Sequence, residues 1–361
     1  MVIYLILLAA IIILAVLLGN SNSNKNIRKI LFLFLVFIML FSVMGFRAKN
    51  VGVDTDLYCR LYNNFVHNGV ADNNNFDTSK VYAYYNVLLG KIFGENARTI
   101  IIANSFLIII LFMCFINKES PNVYFSVILY LLLYFYLQGF NIARQMIAIF
   151  LSAISIRYVI NKDIKKYLII NIFAVFIHNT SIVIILVGLL LMFIKKLNLK
   201  KFITIMTATI ISAVMADRLI SIFVSIFPKY ASYILTNAYD YGSGRKILLI
   251  LVYATFLIIG LYIINRKKEN MTEEQYRKYM IYSTLVGISC VTGAFGSVSI
   301  LVGRISLYFE IFMIIYIPMV IDLIGKRKEV WYVLITVILF IPFYIQLLGN
   351  ISGVVPYELY K

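Results

Sequence analysis

The residues best equipped for chemistry stand where a long hydrocarbon run ends. In "GFRAKNVGVDTDLYCRLYNNF" (45–65), Arg47, Asp54 and Asp56 follow one another closely. Asp54-Thr55-Asp56 spells D-x-D, and two such carboxylates can share a divalent cation with phosphate oxygens. Three more polar residues interrupt apolar sequence further on: Arg144 in "GFNIARQMIAI", His178 in "FIHNTSIVI" and Arg304 in "LVGRISLYFEIFM". An arginine that opens a helix adds its charge to the positive end of the helix dipole, which makes an anion site. A diphosphate suits such sites because guanidinium groups bind its oxygens in bidentate fashion. The competing reading for each arginine alone is snorkelling to lipid headgroups. A lone histidine such as His178 is often a structural hydrogen-bonding residue, but its ordinary titration range also suits a base.

The elements that must position these residues are membrane helices. The chain has 361 residues, 62% of them hydrophobic, and a mean hydropathy of +0.92. A crossing helix needs about 20 apolar residues, and such runs recur from end to end. Only helices or closed barrels satisfy their backbone in lipid, and these runs are continuous rather than alternating. The expected fold is an all-α polytopic membrane protein with about 11–12 transmembrane helices. The first, "MVIYLILLAAIIILAVLLGN", lacks a basic leader and a small-residue cleavage site, so it reads as a retained helix.

The net charge of +17 does not call for nucleic acid. The lysines and arginines collect in short breaks at 24–29, 117–118, 161–166, 195–201, 265–278 and 325–329, as the positive-inside rule requires. With those breaks inside, both termini and two longer polar segments, 47–96 and 217–245, lie outside the cytoplasm. That topology needs residues 167–194 to cross twice, or to dip in and return, with the break at His178. The whole of 1–361 reads as one integral membrane domain. Amphipathic spacing of Leu57, Tyr58, Leu61, Tyr62 and Phe65 predicts a surface helix in the first outer segment, and 80–94 reads as a second.

On the outer side, Arg47, Arg144 and Arg304 stand at membrane boundaries where basic residues are disfavoured. Sugar-nucleotide enzymes that use D-x-D work on cytoplasmic donors, so no metal is expected here. Asp54 instead would position an arginine or take a proton, with Asp56 capping the helix that follows. Three cysteines, Cys59, Cys114 and Cys290, form no C-x-x-C pair, which argues against a thiolate metal site. Tyr58, Tyr62 and "NAYDYGSGR" (237–245), with Arg245, offer rings and donors to a glycan, although most of the 27 tyrosines would serve the aromatic belt.

Taken in order, "FRAKNVGVDTDLYCRLYNNF", "GFNIARQMIAIFLSAISIRYVINKDIKKYLIINIFAVFIHNTSIVII", "GRISLYFEIFMIIYIP" and the terminal "PYELYK" resemble the EpsG-like and Wzy-type bacterial polysaccharide polymerases over nearly the whole chain. The resemblance marks Arg47, Gly52, Asp54, Thr55, Tyr58, Arg144, Ala148, His178, Ser181, Arg304 and Tyr308. It implies a GT-C-like fold and no cofactor. It also implies a metal-independent glycosyltransferase at the outer face of the bacterial cytoplasmic membrane. The implied reaction moves a polymer from undecaprenyl diphosphate onto the next undecaprenyl-diphosphate-linked oligosaccharide, a repeat unit that serves as acceptor. Arg47, Arg144 and Arg304 would hold the leaving diphosphate. Asp54 or His178 would be the base, and Tyr58, Arg245 and Tyr308 would contact glycan. Membrane lipids, a chain-length regulator and a flippase are the implied partners. The other readings are a flippase of lipid-linked oligosaccharide, a membrane O-acyltransferase using His178, and a glycan ligase. A flippase predicts charges near the midplane and related halves, and neither is seen in the sequence.

Overall fold

The computed structural model describes residues 1–19, 24–70, 79–215, 243–296 and 300–360, with isolated positions at 218, 221, 222 and 225. Among these the secondary structure is helical throughout, apart from one isolated bridge between Arg47 and Leu359. Seven segments are long and apolar enough to cross a membrane: Val2–Gly19, Lys25–Gly45, Arg98–Glu119, Ala143–Ile160, Leu248–Arg266, Val302–Ile324 and Lys328–Leu348. The other spans expected from hydropathy fall on helices that are shorter, broken or open on charged residues. The protein is thus an all-α, polytopic membrane protein.

The chain divides into two compact units. The first comprises Met1–Ile154, Ile169–Asn179 and Glu329–Lys361. It contains α1 (Val2–Gly19), α2 (Lys25–Gly45), α3 (Thr55–Asn68), α4 (Lys80–Phe93), α5 (Arg98–Glu119), α6 (Val123–Leu132), α7 (Phe135–Gln138) and most of α8 (Ala143–Ile160). Helix α2 turns Phe32, Val36, Leu40 and Met44 inward, one residue per turn, and packs them on α5. Its other face leaves Phe34 and Ile38 exposed, as suits a helix that meets lipid on one side. Helices α3 and α4 lie against each other and against α5. The stripe predicted on α3 is real: Tyr58, Leu61, Tyr62 and Phe65 are buried, while Leu57 remains at the edge. The predicted span 122–138 is broken at Tyr134, whose φ of 71° lies in the left-handed region, and the chain then turns through Gly139 and Asn141 into α8.

The second unit comprises Ser155–Leu168 and Thr180–Lys328. It holds α10 (Ile182–Phe193), α11 (Leu199–Val214), α12 (Ser243–Arg266), α13 (Glu273–Phe295), α14 (Ile300–Glu310) and α15 (Met313–Ile324); α9 (Ile164–Ile177) is shared between the two units, and α16 (Lys328–Leu348) belongs almost wholly to the first. The start of α9 packs on α10, where Tyr167 occupies the place that a Cβ on Gly188 would need and donates to the Ile184 carbonyl. At 14 and 12 residues, both helices are shorter than a crossing, which requires about 20, and the 3-10 turn Asn179–Ser181 joins them. The interruption expected at His178 is present. Helix α13 is the centre of this unit, packed by α11, α12 and α14. Arg277 donates from Nη1 to the Ile194 carbonyl at 2.9 Å and from Nη2 to the Leu191 carbonyl at 3.0 Å, and Lys267 donates to the Leu323 carbonyl. The single basic break 265–278 therefore also caps the last carbonyls of α10 and α15, where cations are favoured.

Candidate functional site

The stretch after α2 is shaped by one glycine. Gly52 has φ of 98°, and a Cβ there would stand 2.7 Å from Thr55 Oγ1 and 2.9 Å from Asn141 Oδ1. Only glycine adopts that backbone freely, and its lack of a side chain lets the 51–55 turn close on the loop before α8. The turn is also fixed from the C-terminal segment. Gly52 N donates to the Gly353 carbonyl at 2.8 Å and Asn141 Nδ2 to the Ser352 carbonyl at 2.9 Å.

Arg47 lies at the centre of this turn, 2% exposed. Nε donates to the Val51 carbonyl at 3.2 Å and to Thr55 Oγ1 at 3.4 Å; Nη1 donates to the Met44 carbonyl and, at 3.2 Å, to Ser105 Oγ; Nη2 donates to the Phe140 carbonyl at 3.2 Å. Its Cζ sits 4.7 Å from the centre of the Phe140 ring. Burial pulls the guanidinium down to about 10, which still leaves it charged at neutral pH. All these partners belong to the chain, and they come from α2, the turn, α5 and the loop before α8. Arg47 ties four segments together.

Arg144 is placed otherwise. It is the second residue of α8 and only partly buried. Its backbone N–H donates to Tyr58 Oη at 3.4 Å, its side chain also hydrogen-bonds that oxygen, and its Cζ lies 5.5 Å from the Tyr82 ring centre. Tyr58 is held back by burial, which raises its pKa; Arg144 opposes that shift and Asp54 reinforces it. Asp54, Tyr58 and Arg144 thus share one electrostatic neighbourhood. The Tyr82 and Tyr58 rings meet edge to face at 6.2 Å, Asn104 Nδ2 donates to Tyr82 Oη at 2.9 Å, and Tyr85 stacks obliquely at 5.7 Å. Burial keeps Tyr82 well above its ordinary pKa, so both phenols are neutral at working pH and able to donate.

Asp54 is the N-cap of α3, yet its side chain makes no capping bond. Asp56, expected as the cap, lies inside the first turn and pairs with Arg60 at 3.2 Å, with both side chains exposed. The D-x-D pattern therefore presents one carboxylate to the Tyr58–Arg144 neighbourhood and commits the other to a surface ion pair. Among the described residues no group of three His, Cys, Asp or Glu side chains converges. Tyr62, expected to offer a ring to a glycan, is fully buried and donates to the Gly94 carbonyl at 2.6 Å, closing the end of α4.

His178 follows α9 and is half-buried. The preceding carbonyl, of Ile177, accepts from Ser79 Oγ at 3.3 Å, and the same hydroxyl caps α4 by accepting from Tyr82 N at 3.3 Å. One serine thus ties the His178 break to the helix that carries Tyr82. In the second unit, Arg304 is partly exposed on α14. Tyr308, one turn on, is 1% exposed and accepts from Thr180 Oγ1 at 3.2 Å, so it braces the 3-10 turn. Arg245 belongs to the first turn of α12, although its side chain and most of 217–245 fall outside the described residues. The structure joins Asp54, Tyr58 and Arg144 within the first unit and adds Tyr82, Asn104 and Asn141, which sequence reading passed over. Nothing in "KVYAYYNVLLG" distinguishes Tyr82 from its neighbouring tyrosines before the fold places it over an arginine.

The model of the EpsG family matches residues 29–359, a range that contains every one of these residues. No curated protein sequence and no solved structure matches the chain.

Proposed function

The chain belongs to the EpsG family, and on that premise, which points to polysaccharide polymerisation in general, we propose a glycosyl transfer between two lipid-linked glycans at the outer face of the cytoplasmic membrane. The observation that carries the proposal is the Arg144 cluster: a half-buried cation in the first turn of an 18-residue helix, bound to a neutral phenol, over a second ring, with a carboxylate beside it. A leaving diphosphate gathers charge on its bridging oxygen in the transition state, and a fixed cation at a helix N-terminus stabilises it. Arg144 supplies that charge, and Arg304, partly exposed on α14, is tested beside it as another arginine that the sequence marks for diphosphate. The terminal hydroxyl of the acceptor glycan attacks the anomeric carbon of the donor, the anomeric carbon–oxygen bond breaks, and undecaprenyl diphosphate departs. The hydroxyl proton passes to Asp54, whose carboxylate is not spent on capping its own helix. Tyr58 and Tyr82 give the sugar a hydroxyl donor and a ring. Arg47 acts from behind, holding the turn that aims Asp54, and His178 marks the break that the Ser79 hydroxyl ties to α4. The outward orientation rests on the positive-inside distribution of the basic breaks.

The test is a glycan ladder from a strain lacking the protein, complemented at matched membrane levels with wild type, Arg144→Ala or Arg304→Lys. Wild type restores the ladder, and each variant leaves a single lipid-linked repeat on the outer face. A repeat trapped on the cytoplasmic face would identify a flippase instead, and normal ladders from both variants would remove the diphosphate role.

A further inference from the structure

Arg98 opens α5, and neither the family motifs nor the cluster above involves it. Its Cζ lies 5.3 Å from the Phe46 ring centre and 5.2 Å from that of Tyr360. Both distances fall within cation–π range, so two rings contact the guanidinium. Its backbone N–H is taken by Asn96 Oδ1 at 2.9 Å, but among the described residues its side chain has no hydrogen-bond or ion-pair partner, and Nε is sealed from solvent without an acceptor. Arg47, one residue from Phe46, has its donors turned onto the protein. Arg98 has none so turned.

The two rings are fixed to each other. Tyr360 N donates to the Phe46 carbonyl at 2.9 Å and Ala48 N to the Glu358 carbonyl at 2.9 Å, around the Arg47–Leu359 bridge. Tyr357 Oη donates to the Val43 carbonyl at 3.1 Å, and Asn50 Nδ2 to Glu358 Oε2 at 3.0 Å. The C-terminal segment is therefore a strap across the end of α2, and its penultimate residue forms one wall of a slot around Arg98. Aromatic rings give a guanidinium no hydrogen-bond acceptor, so its N–H groups remain to be satisfied by another partner. A guanidinium edge fits two oxygens of a phosphate, and rings hold the cation in place without supplying a counter-ion. Helix α5 runs from Arg98 toward the basic break at 117–118, so the charge rule puts the slot on the same side as Arg144, with a helix N-terminus behind it.

We propose that Arg98, in cation–π contact with Phe46 and Tyr360, binds the phosphate of a lipid at the outer boundary of the membrane. The same chemistry belongs to the diphosphate of a polyprenyl carrier and to the headgroup of an anionic phospholipid; the first source rests on the lipid-linked reading above, the second does not. Full-length protein in phosphatidylcholine nanodiscs is titrated with a polyprenyl diphosphate and, separately, compared in discs containing phosphatidylglycerol, for wild type, Arg98→Gln, Arg98→Lys and Tyr360→Leu. Loss of a charge-assisted, two-pronged contact lowers affinity about ten- to a hundredfold in Arg98→Gln. Arg98→Lys is expected to fall between, because a point charge does not reproduce the fork. Tyr360→Leu removes one wall and loses severalfold while keeping the charge.

An effect on the polyprenyl diphosphate alone assigns the slot to the carrier, and an effect on phosphatidylglycerol assigns it to a headgroup. Unchanged binding of both lipids in Arg98→Gln overturns the proposal. Should that variant not fold, unchanged binding in both Arg98→Lys and Tyr360→Leu does the same. If wild type binds no polyprenyl diphosphate at all, the lipid-linked reading of the function fails, and the phosphatidylglycerol arm still decides the slot.

Discussion

Replacing Arg47 separates a residue that builds the site from one that works in it. In Arg47→Met the side-chain volume is largely kept, while every donor is lost. Thr55 Oγ1 lies 2.7 Å from the Val51 carbonyl and 3.3 Å from the Phe140 carbonyl, but its one proton satisfies only one of them at a time; Ser105 Oγ retains its bond to the Ile101 carbonyl at 2.7 Å. The Met44 carbonyl, at the end of α2, loses the guanidinium that binds it. Two orphaned buried acceptors, Met44 and one of Val51 and Phe140, cost about 1–3 kcal/mol each, and the desolvation of an arginine that has no carboxylate partner is relieved, which offsets part of the lost bonding. The expected net loss for Arg47→Met is about 2–3 kcal/mol. Arg47→Ala adds a cavity among four segments and brings the loss to about 4–5 kcal/mol. At a few degrees per kcal/mol, Arg47→Ala lowers the melting temperature in detergent on the order of 10 °C. Arg144→Ala, at a half-exposed position, changes it by no more than about 3 °C yet abolishes the ladder. The measurement is thermal melting by size-exclusion chromatography beside the ladder. If Arg47→Met melts like wild type and still makes no polymer, the stitch argument is wrong and Arg47 meets substrate.

Three further outcomes follow from the same neighbourhood. Tyr58→Phe keeps the ring and removes the oxygen that holds Arg144, so polymer synthesis in membranes should fall about tenfold with little change in melting; an unchanged rate would show that Arg144 positions itself. Burial, opposed by Arg47 and reinforced by Asp56, pushes the Cys59 thiol up to about 11. At pH 8 only about one thiol in a thousand is then ionised, so a protein keeping Cys59 as its single cysteine should react with a soluble maleimide far more slowly than a free thiol and gain reactivity as pH rises toward 11. With Asp54 as the base, Asp54→Asn should abolish the ladder while His178→Asn keeps it at matched membrane levels; the reverse result would transfer the role to the histidine.

The helices were legible because lipid imposes length and hydropathy on them: α2, α5, α8 and the α9–α10 break all fall where apolar runs and the His178 interruption put them. The break at Tyr134 was not, since no glycine or proline marks it and a left-handed tyrosine is held only by what surrounds it. The amphipathic stripe of α3 was readable, but the cap was off by two residues, because Asp54 and Asp56 are equally good cap types and the Gly52 turn decides between them. The deepest limit concerns the arginines. Arg47 and Arg144 look alike in sequence, each a lone cation beside a hydrocarbon run. They part company because the carbonyls of Met44, Val51 and Phe140 converge on Arg47, and Phe140 is far from it along the chain. Arg144 meets a phenol and a ring, which leaves its charge available to a ligand. Arg98 carries no mark in the sequence, and only the fold of residues 357–360 over the end of α2 brings the Tyr360 ring to it. Types and spacing identify which residues carry charge to the membrane boundary. Whether that charge is consumed by the protein or offered to a substrate depends on acceptors brought in from distant segments, and so only the fold distinguishes the two.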